Sequence, residues 1–326
     1  MQVSDVVLSC RVRLARNLSE RHFVNNQSAQ DAAATVDAIS SALPQGCRTL
    51  RMAQLPAIER LSLVERHLAS AELIANESGA LVLNEEETLA VMINEEDHLR
   101  IQGILPTLDL GGAYALCKAA EDAIEQSVPL SFDERLGYLT ACPTNLGTGL
   151  RASAMLHLAG LALSGKLEEL LRRIGKLGIA VRGFYGEGSA APGYLYQISN
   201  QYTLGLREEE ILSALTAIIK QLAGQELLAR KLLLEHSDIA IRDVAARSLG
   251  LCRYAYKMSM EECMQHISRL KLGISLGLVD YAMQAADLLI IGCQSAQLCI
   301  AAGRELTDEE ESVARASFLR NALKEM

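Results

Sequence analysis

The sequence lacks several patterns that would place it in a specialised class of protein. Its eight cysteines form no C-x-x-C pair and no dense cluster, so neither a structural zinc site nor a disulfide framework is predicted. The net charge of -9 argues against binding of nucleic acid through bulk positive charge. The chain does not open with a basic stretch followed by an apolar run. These absences favour a cytoplasmic protein with reduced thiols.

The sequence also lacks a long apolar run without polar interruptions and a repeat of solenoid period. The most apolar stretch, residues 281–302, contains three glutamines, an aspartate and a serine, so it is predicted to be a buried helix rather than a membrane span. The 326 residues are 50% hydrophobic and 22% charged, which is typical of a globular chain with one large or two medium domains.

The first two thirds of the chain alternate strand and helix signals. Residues 79–83 and 89–93 are short apolar runs separated by a polar turn, so a hairpin is predicted there. Residues 178–182 and 194–200 are two further strands, joined by a loop rich in glycine. The run after Gly147-Thr148-Gly149 is interpreted as the start of a helix. This pattern predicts an α+β domain, not a doubly wound parallel sheet.

The pattern is almost wholly helical from residue 207 onward. Apolar residues recur at helical spacing along residues 208–235. Further helices are predicted at 237–251, 259–272, 278–302 and 307–324, the last with a capping box of Thr307 and Glu310. We therefore expect a catalytic domain at residues 1–225 and a helical C-terminal domain at residues 226–326.

Four short segments carry residues that suit phosphate chemistry. They are Ser9–Arg13, Asn94–Arg100, Cys142–Arg151 and Arg182–Glu187. Guanidinium groups stay charged and bind phosphate oxygens in pairs, so five arginines suit a triphosphate. The glutamates Glu96 and Glu187 would repel phosphate, and they make sense if the second substrate is a cation. The segments predict an enzyme that moves a phosphoryl group from a nucleotide to a cationic acceptor.

Each of these motifs also has a purely structural interpretation. Arg11 and Arg13 alternate along one strand and could form a solvated face. Arg100 follows Glu96 at a spacing that allows a local ion pair. A cysteine such as Cys142 is more often a small buried apolar residue than a reactive thiol. For His67 and His98, a structural role with satisfied hydrogen bonds is at least as common as a catalytic one.

The four segments resemble the signature motifs of the ATP:guanido phosphotransferases, most closely those of bacterial protein-arginine kinases. They read N-E-E-D-H-L-R at residues 94–100, C-P-T-N-L-G-T-G-L-R at 142–151 and R-G-F-Y-G-E at 182–187, and they follow the family's order. The resemblance spans most of residues 5–206 and continues more weakly beyond. It implies a phosphagen-kinase catalytic domain, an antiparallel sheet flanked by helices that is glutamine-synthetase-like, followed by an all-α C-terminal domain. Because Arg11 lies almost at the start, we expect no separate N-terminal helical domain.

The resemblance implies a role for each candidate residue. Glu96 and Glu187 match the family's catalytic glutamates, and Cys142 matches a cysteine on the acceptor side. The residues that match the nucleotide site are Arg11, Arg13, His67, Arg100, Arg151 and Arg182. ATP and Mg²⁺ are the implied cofactors, and the motifs show no carboxylate cage that would hold the metal, so no protein metal ligand is expected.

The paired glutamates also have a chemical explanation. A guanidinium group is a poor nucleophile because its lone pairs are delocalised and its pKa is roughly 12 to 14. Two carboxylates can align the guanidinium with the γ-phosphorus and accept a proton as the N–P bond forms.

The resemblance implies a protein arginine kinase that marks proteins for regulation or degradation during stress. Its implied partners are protein substrates, a McsA-like activator, a CtsR-like repressor and the ClpC–ClpP protease, with a possible homodimer. Direct contact with nucleic acid or a membrane is not expected. Two alternatives stay open: a kinase of free arginine or another small guanidine, and a catalytically weak adaptor. The presence of both glutamates and all five arginines speaks against the adaptor.

One departure from the family's pattern concerns the C-terminal domain. Protein-arginine kinases are expected to carry an R-D-x-x-R-A motif that binds phosphoarginine, but residues 311–316 read E-S-V-A-R-A. Only Arg315 and Ala316 match, and Glu311 would repel a phosphate. The sequence therefore predicts little or no phosphoarginine binding at this place.

Overall fold

A computed structural model describes residues 1–184 and 191–325. The chain divides into two compact units. Unit 1 contains residues 1–8, 155–198 and 218–326, and unit 2 contains residues 9–154 and 199–217.

The described residues form ten strands and twelve α-helices. The strands are β1 Val7–Arg16, β2 Arg48–Arg51, β3 Ala80–Leu83, β4 Leu89–Ile93, β5 Leu99–Leu105, β6 Phe132–Asp133, β7 Gly137–Tyr138, β8 Leu150–His157, β9 Ile179–Gly183 and β10 Leu195–Asn200. The helices are α1 Ala29–Ala42, α2 Ala57–Glu65, α3 Ala71–Ala75, α4 Leu110–Glu125, α5 Ala159–Leu163, α6 Leu167–Gly175, α7 Glu208–His236, α8 Asp238–Tyr254, α9 Met260–Ser275, α10 Met283–Gly292, α11 Ser295–Ala302 and α12 Asp308–Glu325.

An antiparallel sheet forms the centre of unit 2. Its strands are ordered β2-β3-β4-β5-β1-β8, and the pairs from β2 through β1 are antiparallel. The strands β3 and β4 are buried along their whole length, which explains their continuous apolar sequence. Asn84 closes their hairpin, because its side chain accepts a hydrogen bond from the Leu89 N–H at 2.9 Å. The predicted hairpin is confirmed.

Helices flank this sheet, and their caps are visible in the sequence. Helix α1 begins with a capping box of Ser28 and Asp31. Helix α4 is capped by Asp109, whose carboxylate accepts a hydrogen bond from the Gly112 N–H at 2.8 Å. A Cβ at Gly103 of β5 would lie 2.3 Å from the Ala113 carbonyl oxygen of α4, so only glycine allows this close approach.

Unit 1 combines the strand order β8-β10-β9 with the helices α8 to α12 and most of α7. Its apolar core includes Phe184 and Leu195 together with residues of α8, α9, α10 and α12, such as Ala245, Met264 and Leu319. The core therefore joins residues of the predicted catalytic domain to the C-terminal helices. The predicted α+β sheet fold and helical C-terminal region are confirmed.

Two local predictions differ from the structure. The run after Gly147-Thr148-Gly149 begins with strand β8 rather than a helix, and helix α5 follows only at Ala159. The stretch 281–302 is two helices, α10 and α11, bent by 79° at Cys293–Gln294. The capping box of Thr307 and Glu310 is present.

By length and composition, one described helix, α7, could cross a membrane, and α10 with α11 passes the same test as a bent pair. Helix α7, however, carries a buried ion pair between Glu226 and Arg230. All eight cysteines are free thiols.

Candidate active site

A tight turn connects β4 to β5 and carries the first glutamate motif. Asn94 adopts a left-handed backbone conformation with φ of 56°, which asparagine tolerates better than most residues. Its N–H donates to the His98 carbonyl at 3.1 Å, and its buried side chain donates to the carbonyls of Ala32 and Ser78. The turn therefore has a rigid base, and Glu95, Glu96 and Asp97 project from its tip.

Glu95 is the acid of this turn that forms an ion pair. Its buried carboxylate accepts hydrogen bonds from Arg100 and from the Ser70 hydroxyl. Burial opposes ionisation, but the charge of Arg100 and these hydrogen bonds lower the pKa of Glu95. The local ion pair that the spacing allowed thus exists, but its acid is Glu95 rather than Glu96.

Glu96 is exposed and lies beside Cys142. The Cys142 thiol donates a hydrogen bond to this carboxylate and also lies 3.0 Å from the Thr144 hydroxyl. Partial desolvation raises the pKa of Glu96, and the charges of Asp97 and Glu95 raise it further. The structure therefore brings together two residues that are far apart in sequence, next to Arg100, whose charge also acts on Glu96.

Asp97 fastens the turn to the segment before Cys142. It accepts hydrogen bonds from the Asn17 side chain at 2.5 Å and from the Ala141 N–H at 2.7 Å. Burial raises the pKa of Asp97 despite these bonds. Asn17 also donates to the Leu139 carbonyl at 3.1 Å. These bonds hold Cys142 near Glu96.

The arginines of the first two segments lie on one face of the sheet. Arg11 and Arg13 alternate along β1, so their side chains leave the same face. In the antiparallel pair with β5, Arg100 lies opposite Ala15, and Gln102 lies opposite Arg13. Residues directly opposite share a face. The guanidinium groups of Arg11, Arg13 and Arg100 therefore lie on one surface of the sheet.

Arg151, at the start of β8, joins this group. Burial lowers the pKa of the Arg13 guanidinium well below its ordinary value, and the charges of Arg100, Arg11 and Arg151 lower it further. The buried Nε of Arg13 has no hydrogen-bond partner in the described part of the chain. A dense set of cations with an unsatisfied buried donor suits a polyanionic ligand.

His67 lies beside the arginines with its backbone in the left-handed region at φ of 60°. Its carbonyl accepts a hydrogen bond from the Gln102 side chain at 2.9 Å, which ties it to the arginine face. Burial and the charge of Arg11 lower its pKa to about 4. The imidazole is therefore neutral near pH 7.

The loop from Cys142 to Arg151 needs its two glycines. Gly147 and Gly149 have φ of 104° and 59°, and a Cβ at either one would come within 2.6 Å of a backbone oxygen. Thr148 fixes the loop between them, because its N–H donates to the Thr203 carbonyl at 3.0 Å.

Of the remaining two predicted site residues, the structure describes only Arg182, which belongs to unit 1. Arg182 is half-buried in β9. Glu187 lies outside the described residues.

Arg16 is a further functional candidate, which the four sequence motifs do not include. It is fully buried, donates to the carbonyls of Ala15 and Thr148 at 2.9 Å, and pairs with Glu121. Its guanidinium carbon lies 3.4 Å from the centre of the Tyr138 ring. Through the bond to Thr148, Arg16 thus stabilises the loop that contains Gly147 and Gly149. Arg11 and Arg13 occupy odd positions of β1, whereas Arg16 occupies an even position and so points to the other face of the sheet. An arginine on that face is the sequence feature that could have indicated a separate role.

No group of three or more histidine, cysteine, aspartate or glutamate side chains in residues 1–184 and 191–325 is arranged to hold a metal ion.

Comparisons with known proteins agree with the motifs. Residues 30–229 match the family model of the ATP:guanido phosphotransferase C-terminal catalytic domain, and residues 238–326 match that of the protein-arginine kinase McsB C-terminal domain. A protein-arginine kinase of Halothermothrix orenii is 42% identical and covers 98% of this chain and 93% of its own length. Another, of Clostridium tetani, is 38% identical, with coverage of 98% and 96%.

Solved structures of phosphagen kinases share the fold. A lombricine kinase matches with a TM-score of 0.61 and 26% identity over 68% of this chain and 66% of its own. A duplicated taurocyamine kinase from Schistosoma mansoni matches with a TM-score of 0.61 over 79% of this chain and 38% of its own, and at 24% identity it supports the fold alone. The chain therefore belongs to the ATP:guanido phosphotransferase family, in the group that contains the bacterial protein-arginine kinases.

Proposed function

We propose that this chain is a protein arginine kinase, which transfers the γ-phosphoryl group of ATP to arginine side chains of cytoplasmic proteins. The observation that carries the proposal is the gathering of Arg11, Arg13, Arg100 and Arg151 around one surface, beside a turn that presents Glu96. A chain of net charge -9 has no general need for such a concentration of cations.

The arginines, with His67, form the proposed nucleotide site. Their guanidinium groups would hold the phosphates of ATP and balance the charge that spreads over the transferring group. The unsatisfied Nε of Arg13 fits a phosphate oxygen. We assign Arg182 to the same site by its match to the family motif. Mg²⁺ supplies charge neutralisation of the phosphates when bound.

Glu96 and Glu187 form the proposed catalytic pair. Glu96 would orient the acceptor guanidinium and receive its proton, and its raised pKa makes it a stronger base than an ordinary carboxylate. Cys142, which is hydrogen-bonded to Glu96, would contact the acceptor from the same side. Glu187 receives its role from its match to the family motif.

We also propose that residues 1–225 form the catalytic domain and residues 226–326 the helical C-terminal domain. Protein substrates follow from the proposed activity. A McsA-like activator, a CtsR-like repressor, the ClpC–ClpP protease and a homodimer remain proposals that rest on the resemblance to protein-arginine kinases.

The experiment is a competition in one vessel. The chain is incubated with MgATP, an unfolded arginine-rich protein and free arginine, and acid-labile phosphate is measured on each. The proposal expects most of the phosphate on the protein. Phosphate only on free arginine would favour a small-guanidine kinase, and no phosphate on either would favour a catalytically weak adaptor.

A further inference from the structure

An exposed apolar groove lies beside the loop that presents Cys142. It encloses about 380 Å³ and is lined by the β6–β7 hairpin, by Gly147 and Thr148, and by residues 203–208. Its apolar side chains are exposed: Phe132 by 58%, Leu136 by 46%, Leu204 by 55% and Leu206 by 47%. Four large apolar side chains in one place form a patch of the kind that marks a binding surface.

The groove is built on the same backbone as the candidate active site. The Thr203 hydroxyl donates to the carbonyls of Thr144 and Leu146 at 3.0 and 2.7 Å, which fastens one wall to the Cys142 loop. On the other wall, the Tyr138 N–H donates to the Gly147 carbonyl at 2.8 Å. The groove is therefore continuous with the loop that places Cys142 against Glu96.

The flanks of the groove carry more negative than positive charge. Arg135, Arg207 and Glu208 line the groove, and the Glu208 carboxylate is held by Arg16 and by the Tyr114 hydroxyl. Four further carboxylates, at residues 133, 134, 209 and 210, flank the groove in the stretches 132–138 and 202–210. An arginine-bearing polypeptide with apolar neighbours complements both the carboxylates and the exposed leucines.

We propose that this groove binds the unfolded polypeptide segment that flanks the target arginine, and that it gives the enzyme a preference for arginines with apolar neighbours. The proposal rests on the proposed function, because it needs an acceptor that is part of a polypeptide. An extended segment in the groove would bury Leu204 and Leu206 while its arginine reaches Glu96. Such segments are exposed in unfolded proteins and buried in folded ones.

The test uses two synthetic peptides that each carry one arginine, flanked either by leucine and valine or by glycine and serine. With MgATP, the wild-type chain should show a kcat/KM about tenfold higher for the apolar peptide, since half-exposed leucines become buried. The double variant Leu204→Ser with Leu206→Ser should lose this preference and keep its rate on the glycine-serine peptide. Leu177→Ser, which changes a leucine that is 69% exposed elsewhere, should keep the preference.

Equal wild-type rates on the two peptides, or a double variant that keeps the preference, would overturn the proposal. An equal loss on both peptides would also overturn it, because the leucines would then support the loop rather than the acceptor. Analytical ultracentrifugation measures the oligomeric state of the wild-type chain and the double variant. A dimer that dissociates in the double variant would overturn the proposal, because a second copy of the chain would then fill the groove. If the wild-type chain phosphorylates neither peptide nor any unfolded protein, the proposed function itself fails.

Discussion

Arg100 donates a hydrogen bond to Glu95, the residue immediately before the candidate catalytic Glu96. Two adjacent glutamates thus have different environments, because Glu95 is buried against an arginine and a serine whereas Glu96 is exposed beside a thiol. The first holds the turn and orients Arg100, and the second is available to an acceptor.

This difference predicts unequal effects on stability for two similar substitutions. Glu95→Gln should lower the free energy of unfolding by about 1–3 kcal/mol, because it weakens charge-assisted hydrogen bonds at a buried position. Glu96→Gln should leave stability almost unchanged, because an exposed side chain loses little. Urea denaturation of both variants measures the difference. Equal stability of the two variants would contradict the assignment of Glu95 as the structural partner of Arg100.

The sequence indicated which residues belong to this site, but it did not indicate which of them contact each other. The spacing of Arg100 and its neighbouring acids showed that an ion pair was possible, but spacing alone does not distinguish Glu95 from Glu96. The choice depends on the backbone of the turn, which Asn94 sets through contacts with Ala32 and Ser78, distant in sequence. The contact between Cys142 and Glu96 likewise depends on tertiary hydrogen bonds.

The fold shows the same limit. The hairpin of β3 and β4 follows from two short apolar runs separated by a polar turn, and it was predicted. The strand β8 was mistaken for a helix because its apolar sequence continues into helix α5, and an apolar run of that length favours a helix. The burial of Arg16 was also missed, because its partners Glu121 and Thr148 come from distant segments.

A second prediction concerns the pH dependence of phosphoryl transfer. A base must be ionised, so activity should fall as the pH falls through the pKa of Glu96. Because that pKa is raised, the acidic limb of kcat/KM should lie above 4.5, the ordinary value for glutamate. Glu96→Gln should lower kcat by roughly 100-fold or more and remove this limb.

The control for this measurement is nucleotide affinity. Glu96→Gln should bind ATP as the wild-type chain does, since the proposed phosphate contacts belong to the arginines. His67 should not contribute to the profile between pH 6 and 8, because its pKa of about 4 keeps it neutral there. A Glu96→Gln variant with full activity would refute the catalytic assignment.

A third prediction concerns Arg315, the remnant of the expected phosphoarginine motif. Its buried guanidinium donates to the carbonyls of Cys293 and Met258 at 2.9 and 3.3 Å and to the Glu311 carboxylate at 3.2 Å. These hydrogen bonds engage the Arg315 guanidinium in the interior of unit 1, so it serves the stability of the helices. Arg315→Ala should therefore cost on the order of 2–4 kcal/mol of stability. Arg242→Ala, which breaks an exposed ion pair with Asp238, is the matched control and should change stability little.

The same contacts bear on ligand binding. Calorimetry on the full chain with free phosphoarginine should show no binding that depends on Arg315. Micromolar binding that is lost in a folded Arg315→Lys variant would show that the site persists in altered form.

A fourth prediction concerns the buried polar network of unit 1. The Arg230 guanidinium donates to Glu226 at 2.6 Å, to the His157 carbonyl at 2.8 Å and to the Ser275 hydroxyl at 2.8 Å. Glu226 accepts the N–H groups of Gly160 and Leu161 at the start of α5. The network thus joins α7 and α9 to the end of β8 and the start of α5.

Arg230→Met should destabilise the chain by roughly 3–5 kcal/mol, because it leaves a buried carboxylate without its ionic partner. A shortened chain of residues 1–237 should fail to fold cooperatively, because the helices from α8 onward supply much of the unit 1 core. Thermal unfolding followed by circular dichroism measures both. A stable, cooperative chain of residues 1–237 would show that the C-terminal helices form an independent body.

The most direct test of the central claim is the chemical identity of the acceptor atom. An arginine peptide and its lysine counterpart are each incubated with the chain and MgATP, and the phosphorylated residue is located by mass spectrometry under conditions that preserve N–P bonds. The proposed site predicts phosphate on the guanidinium nitrogen of the arginine peptide and none on the lysine peptide, because paired carboxylates align a planar guanidinium. Phosphate on lysine, or on serine or threonine in place of arginine, would contradict the account.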